Sequence, residues 1–206
     1  MYAPSHFREE RPEVLREAIR NIAFATLVTT GDGTAEANHI PFLLKGDTLL
    51  PKGEVLAGHF ARANPVWKTL AKGAEALVVF MGPHFYTSPN WYPSKAVTGK
   101  GVPTWNYIAV HVRGTITLHD DAEWVRAHVD ELSHEHEHFC DKPWSPDEAP
   151  GDYIAGLIRA IVGVEIAITS IEGKWKLSQN RPEGDAEGIR RALIAEGRED
   201  LAALLK

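Results

Sequence analysis

The stretch Trp105-Asn106-Tyr107-Ile108-Ala109-Val110-His111-Val112-Arg113-Gly114-Thr115-Ile116-Thr117-Leu118 decides the fold. In an extended chain Ile108, Val110, Val112, Ile116 and Leu118 fall on one face, and Tyr107, His111, Arg113, Thr115 and Thr117 on the other. A period of two sustained over that length marks a long strand with one face in a core. The second face carries too many polar and aromatic groups for another core, so it meets solvent, a ligand or a partner subunit.

Outward from this strand, short β-rich runs are expected at 24–30, 37–44, 48–50 and 76–80, with Gly31-Asp32-Gly33 and Gly46-Asp47 as hairpin turns. On its C-terminal side, strands are expected at 162–171 and 174–178 around a turn at Glu172-Gly173. Helices fill the intervals. One covers about 12–21 behind Pro12, one starts at Pro65 behind an Asn64 cap and ends near Gly73, and one runs from an Asp120/Glu123 capping box to Phe139. Others cover about 152–160 and the region after Asp185, and a proline-rich connection spans 143–150. Antiparallel strands with only short helices between them point to a closed barrel more than to an open parallel sheet. The expected fold is mainly β with helical additions, an α+β chain. It forms a single domain over 1–206, with a helical insertion at about 120–160 and a C-terminal helix at about 185–205.

The 206 residues carry a net charge of -6 and a single cysteine, Cys140. One cysteine excludes an intramolecular disulfide framework and a cysteine-based zinc site, and fits a reducing compartment. Arg8, Glu9, Glu10 and Arg11 stand where a signal peptide would need its apolar stretch, so the expectation is a cytoplasmic protein with no membrane partner. The acidic balance argues against a broad nucleic-acid surface. Arg181, Arg190, Arg191 and Arg198 cluster near the C-terminus, but acidic residues interleave with them and a solvated helix face results.

Two segments combine aromatic rings with hydrogen-bonding side chains: Gly82-Pro83-His84-Phe85-Tyr86-Thr87-Ser88-Pro89-Asn90-Trp91-Tyr92 and Val102-Pro103-Thr104-Trp105-Asn106-Tyr107. Such a mixture suits a planar polar ring. Further marks are Gly58-His59-Phe60-Ala61-Arg62-Ala63-Asn64-Pro65, Lys176-Leu177-Ser178-Gln179-Asn180-Arg181-Pro182 and the opening Met1-Tyr2-Ala3-Pro4-Ser5-His6-Phe7. Together these motifs resemble the PaiB family, described as FMN-binding and as negative transcriptional regulators, over residues 1 to about 190. The resemblance implies an FMN-binding split β-barrel, a homodimer, FMN as cofactor, and DNA as a partner by family description alone.

The residues of a flavin site follow from these runs. His59, Arg62 and the Asn64-capped helix bring together a cation, backbone donors and a positive helix end, which suit a phosphate. The alternative is that Arg62 pairs with a surface carboxylate while His59 packs against the barrel. In Asn38-His39-Ile40-Pro41-Phe42, polar side chains and a proline interrupt a strand, as at an edge or a bulge. The resemblance implies that this strand, with Asn38, His39 and Pro41, lies against the flavin; an ordinary edge strand is the alternative. The resemblance implies that Trp105, Asn106 and Tyr107 line the ring site, from the same or the second subunit of a dimer; the alternative is a dimer interface without ligand. Ser178, Gln179 and Asn180 either bind flavin or cap the turn before Pro182.

His134-Glu135-His136-Glu137-His138 contains H-E-x-x-H, a zinc-protease signature. With Trp124, Val125, His128, Val129, Leu132 and Phe139 taken as the buried face, about 100° per residue turns His134 and His138 to solvent, and no third ligand follows. No metal site is expected. Nor is there a G-x-S-x-G elbow, a P-loop, or a G-x-G-x-x-G turn opening a helix, so no catalytic residue is assigned. Three functions remain: an FMN-tuned negative regulator of transcription, an FMN-dependent oxidoreductase, and a dimeric flavin-binding protein with neither activity.

Overall fold

The structure is a computed structural model, described for residues 1–31, 33–46 and 53–205. Among these, the strands are β1 (Arg8–Glu9), β2 (Phe24–Thr30), β3 (Ala35–Pro41), β4 (Leu43–Lys45), β5 (Val55–Ala61), β6 (Glu75–Thr87), β7 (Thr104–His119) and β8 (Ile161–Lys176). The helices are α1 (Pro12–Ile22), α2 (Val66–Thr69), α3 (Pro93–Thr98), α4 (Ala122–Glu137), α5 (Gly151–Arg159), α6 (Glu183–Ala195) and α7 (Glu199–Ala202). No helix among the described residues is long and apolar enough to cross a membrane. The expected run at 48–50, with Asp32 and Asp47 of the two turns, lies outside the described residues.

The chain divides into two compact units, one of residues 1–18, 81–110 and 172–206 and the other of 19–80 and 111–171. β6, β7 and β8 supply residues to both. The sheet follows the order β3-β2-β6-β7-β8-β5-β4, with β1 antiparallel on β8 through Arg8↔Lys174 and Glu9↔Gly173.

In the second unit, β2 pairs antiparallel with both β3 and β6, and β5 pairs antiparallel with β8 from Val55↔Ala167 to Ala61↔Ile161. The two ends of the strand order, β3 and β4, are consecutive in the chain and separated only by Phe42. The sheet therefore closes on itself through its own covalent chain, and β3 packs beside β5. Phe42 points into the interior with Leu27, Leu56, Phe60, Val78 and Phe80, all but excluded from water. Burying these side chains contributes about 1.5–3 kcal/mol each relative to exposure. Proline before Phe42 removes one ladder donor, which is tolerated because β3 ends there.

The first unit has a smaller core. Phe85 and Tyr92 meet Ile189 and Leu193 of α6, with Ala202 and Leu205 beyond. Asp185 fastens α6 to the start of α3, accepting from the Ser94 amide at 3.0 Å and the Ser94 hydroxyl at 2.7 Å. Gly188 lets α6 approach closely, since a Cβ there would sit 2.1 Å from the Trp91 carbonyl oxygen.

Several local expectations change. The helix expected from Pro65 to near Gly73 covers only Val66–Thr69, and the strand expected at 76–80 continues to Thr87. No turn interrupts 172–173: β8 runs unbroken to Lys176. Gly173 is a point of close approach instead, where a Cβ would lie 2.3 Å from Leu15 and 2.8 Å from the Trp175 ring. The α4 cap is Asp121, whose carboxylate accepts from the Trp124 amide at 2.8 Å, and Asp120 is released to another partner. Phe139, expected on the buried face of α4, is 81% exposed because the helix ends at Glu137 before it can turn inward. His134, His136 and His138 are exposed.

Candidate functional site

In the first unit, Gly82, Phe85 and Thr87 of β6 and Asn106 and Ile108 of β7 are buried, Phe85 in the core it shares with α6 and α7. Alternation then turns His84 and Tyr86 of β6 and Trp105 and Tyr107 of β7 outward, while Met81 is exposed ahead of a break in the β6 alternation at Pro83-His84, where two successive residues are exposed. Gly82 permits close packing of the two strands, its missing Cβ lying 3.2 Å from Ile108. Met81, His84, Trp105 and Tyr107 line a shallow depression of about 250 Å³. Trp105 is 56% exposed, and the rings of Tyr86 and His84 stand 6.0 and 6.2 Å from it.

Cations border the patch. Lys174 and Lys176, two apart on β8, share one face of the strand. The Lys174 ammonium lies 5.3 Å from the Tyr107 ring and 5.7 Å from the Tyr2 ring, and donates to the Tyr2 carbonyl at 3.0 Å. Lys176 donates to the Trp105 carbonyl at 2.5 Å and to the Thr104 hydroxyl. Burial, reinforced by the charges of Lys174 and Arg181, lowers the Lys176 pKa.

Behind the patch lies a buried polar chain. The Asn106 amide donates to the Thr87 hydroxyl at 2.8 Å and its carbonyl accepts from the Ser178 hydroxyl at 3.0 Å. Asn106 is wholly buried, so it positions its neighbours and does not itself line the open face. Gln179 bridges the turn, accepting from the Leu177 amide at 2.8 Å and donating to the Trp175 carbonyl at 2.5 Å. Asn180 is exposed. Arg181 follows, its guanidinium 4.1 Å from the Tyr92 ring centroid.

The remaining sequence-derived residues lie in the second unit. Asn38 and Asn64 meet directly: the Asn64 amide donates to the Asn38 carbonyl at 2.6 Å while its own carbonyl accepts from the Val66 amide at 3.0 Å, although the N-cap position of the four-residue α2 is Pro65 and not the expected Asn64. The Asn38 Nδ2 is a buried donor with no partner among the described residues. His39 Nδ1 lies 3.0 Å from the Thr26 hydroxyl, and Pro41 closes β3. Arg62 donates from Nε to the Arg159 carbonyl at 2.6 Å, and from Nη2 to the Ile161 carbonyl at 3.0 Å and to Asp120 at 2.5 Å. The carboxylate alternative is thus what the structure shows for Arg62, and the guanidinium holds Asp120 below the usual carboxylate range.

His59 packs inward. Its Nδ1 lies 3.2 Å from Nε2 of His128, which stacks on Trp124, which stacks in turn on His119 at 4.1 Å. Gly163 admits the indole, for a Cβ there would fall 2.2 Å from the Trp124 ring. Burial lowers the pKa of both His59 and His128, the latter to about 3. Among the described residues no group of three or more His, Cys, Asp or Glu side chains is arranged to hold a metal ion.

The structure thus brings Trp105 and Tyr107 to one depression, Asn106 and Ser178 to one buried chain, and Asn38 and Asn64 to one contact. His39, His59 and Arg62 each have separate partners. Sequence reasoning did not foresee Lys174 and Lys176 beside Tyr107 and Trp105. Their signal was the Lys174-Trp175-Lys176 alternation, which the supposed turn at Glu172-Gly173 disguised.

A family profile described as "Putative FMN-binding domain" matches residues 1–170. The Bacillus subtilis protein named protease synthase and sporulation protein PAI 2 is 34% identical over 187 residues, covering 90% of this chain and 85% of that protein. A conserved hypothetical protein from Mycobacterium tuberculosis superposes with a TM-score of 0.60 at 10% identity, over 89% of this chain and 95% of its own. The FAD and heme binding protein of Mycobacterium smegmatis gives a TM-score of 0.57 at 19% identity, over 92% and 80% of the two chains. These likenesses place the fold among the split barrels.

Proposed function

The chain belongs to the FMN-binding domain family that includes the PaiB-like proteins, and from that premise we propose that it is a homodimeric FMN-binding protein acting as a negative regulator of transcription. The observation that supports the flavin reading is the open depression floored by Trp105 and Tyr107 and bordered by lysines. A flat apolar surface beside cations fits a planar ring carrying an anionic tail. Trp105 and Tyr107 would stack the ring, and Asn106 and Ser178 would hold those strands in register from behind. FMN supplies reversible electron storage when bound.

The homodimer reading draws on the exposed Met81, Tyr86 and Trp105, a patch that a second subunit would cover. The regulatory role draws on the relative's name and the PaiB resemblance. A second reading, an FMN-dependent oxidoreductase, is favoured by the openness of the depression, which leaves a reactant room to reach a bound ring.

The deciding measurement is an absorption spectrum of purified protein after gel filtration, which should show flavin bands; their absence after incubation with FMN would end the flavin reading. Sedimentation at micromolar concentration should give a dimer. A footprint on DNA with steep salt dependence separates the regulator from the oxidoreductase, which would instead turn over NAD(P)H with an acceptor.

A further inference from the structure

Several cations of this chain meet carboxylates: Arg62 meets Asp120, Arg126 meets Asp130 and Asp147, Arg190 meets Glu187, and Lys45 meets Glu131. Lys174 and Lys176 do not. Their partners are two carbonyls, a hydroxyl and two aromatic rings, all neutral. Lys174 is only 8% exposed, so water does little to solvate its charge. A desolvated cation without a counterion is costly to keep.

Both ammonium groups also retain donors. Each carries three N–H bonds. Lys174 uses one and Lys176 two in the contacts above. Alternation on β8 puts the two on one side of the strand, each tied to one wall of the aromatic depression: Lys174 through the Tyr107 ring and Lys176 through the Trp105 carbonyl. Arg181 adds a third positive field at Lys176. The nearest carboxylate in sequence, Glu172, is engaged by the N-terminal amine at 2.6 Å.

We propose that Lys174 and Lys176 are the anion-recognition end of the ligand site and take the phosphate monoester of the flavin whose ring lies on Trp105 and Tyr107. The assignment rests on the flavin reading above and moves phosphate recognition from Arg62, whose Nε and Nη2 already serve two carbonyls and Asp120, to a pair of lysines that lack an anionic partner. Ammonium groups bind phosphate as point charges through charge-assisted hydrogen bonds.

The test compares FMN with riboflavin, which has the same ring and no phosphate. Dissociation constants are measured by flavin fluorescence for the wild type, for Lys174→Gln with Lys176→Gln, and for Arg62→Ala. The wild type should prefer FMN at least tenfold. The double variant should lose that preference while its riboflavin affinity stays within about threefold, and Arg62→Ala should keep the preference. Loss of preference in Arg62→Ala with retention in the lysine variant would overturn the assignment, as would equal weakening of both ligands by the lysine changes. Binding of neither flavin by the wild type would instead remove the flavin reading itself. Should the double variant not fold, limited acetylation of the wild type read by mass spectrometry decides: FMN should protect Lys176 and riboflavin should not, and equal protection by both would overturn the proposal.

Discussion

Ser178 gives its hydroxyl hydrogen to the Asn106 side-chain carbonyl, 3.0 Å away, from a backbone held at φ 63°. A non-glycine residue in that left-handed region costs about 1–2 kcal/mol. The buried hydrogen bond offsets the strain, and Asn106 ties the turn to Thr87 at the same time.

Asn106→Ala should therefore destabilise the fold by about 2–3 kcal/mol, because it orphans buried groups on Thr87 and Ser178 together. Urea unfolding followed by tryptophan fluorescence measures it. A loss under 0.5 kcal/mol would show that water replaces the amide without cost.

Ala23, just after α1, is the other described non-glycine residue with positive φ, at 48°, and its amide reaches back to the Ile19 carbonyl at 2.9 Å. Glycine suits that helix-ending position better. Ala23→Gly should raise stability by about 0.5–1 kcal/mol, seen as a melting temperature a few degrees higher. A lower melting temperature would mean that the buried methyl outweighs the strain.

Acid should weaken the His59–His128 contact. His128 titrates near 6.5 when unfolded and near 3 when folded, chiefly through burial. The unfolded chain then binds more protons between those values, so stability is full above pH 6.5 and falls as pH drops toward 3. The fall from this group is about 1.4 kcal/mol per pH unit at most. His128→Phe should flatten the dependence in denaturant titrations at pH 4, 5 and 7; an unchanged slope would assign the acid sensitivity elsewhere.

Replacing His134 and His138 with Gln should shift stability by no more than about 0.5 kcal/mol and leave flavin binding intact, as for solvated surface positions. Stoichiometric zinc in untagged protein, lost in this variant along with a hydrolytic activity, would contradict that.

Legibility in the sequence varied with the range of the interaction. The strand at 24–30 and the buried alternation of Ile108, Val110, Val112 and Ile116 were readable because pleat geometry is local. The same alternation places Asn106 with Ile108 and away from Trp105 and Tyr107, although neighbourhood in the chain suggested one cluster. The α4 cap was misplaced by one residue, and that residue decides which carboxylate Arg62 meets. Gly173 was read as a turn because crowding by Leu15 arises only in three dimensions. The approach of Lys174 to Tyr107 is likewise invisible until β8 has been placed.

The pairing of β5 with β8 joins residues about a hundred positions apart, from Ala61↔Ile161 to Val55↔Ala167. Until β8 has been synthesised, β5 keeps one ladder edge open while its apolar residues Leu56 and Phe60 await cover. Contacts of such long sequence separation slow folding, and an unpaired apolar strand invites association with other chains. The nascent polypeptide thus passes through an interval, ended only by the last third of its length, in which that apolar edge stays open, and the yield of refolding should fall as protein concentration rises.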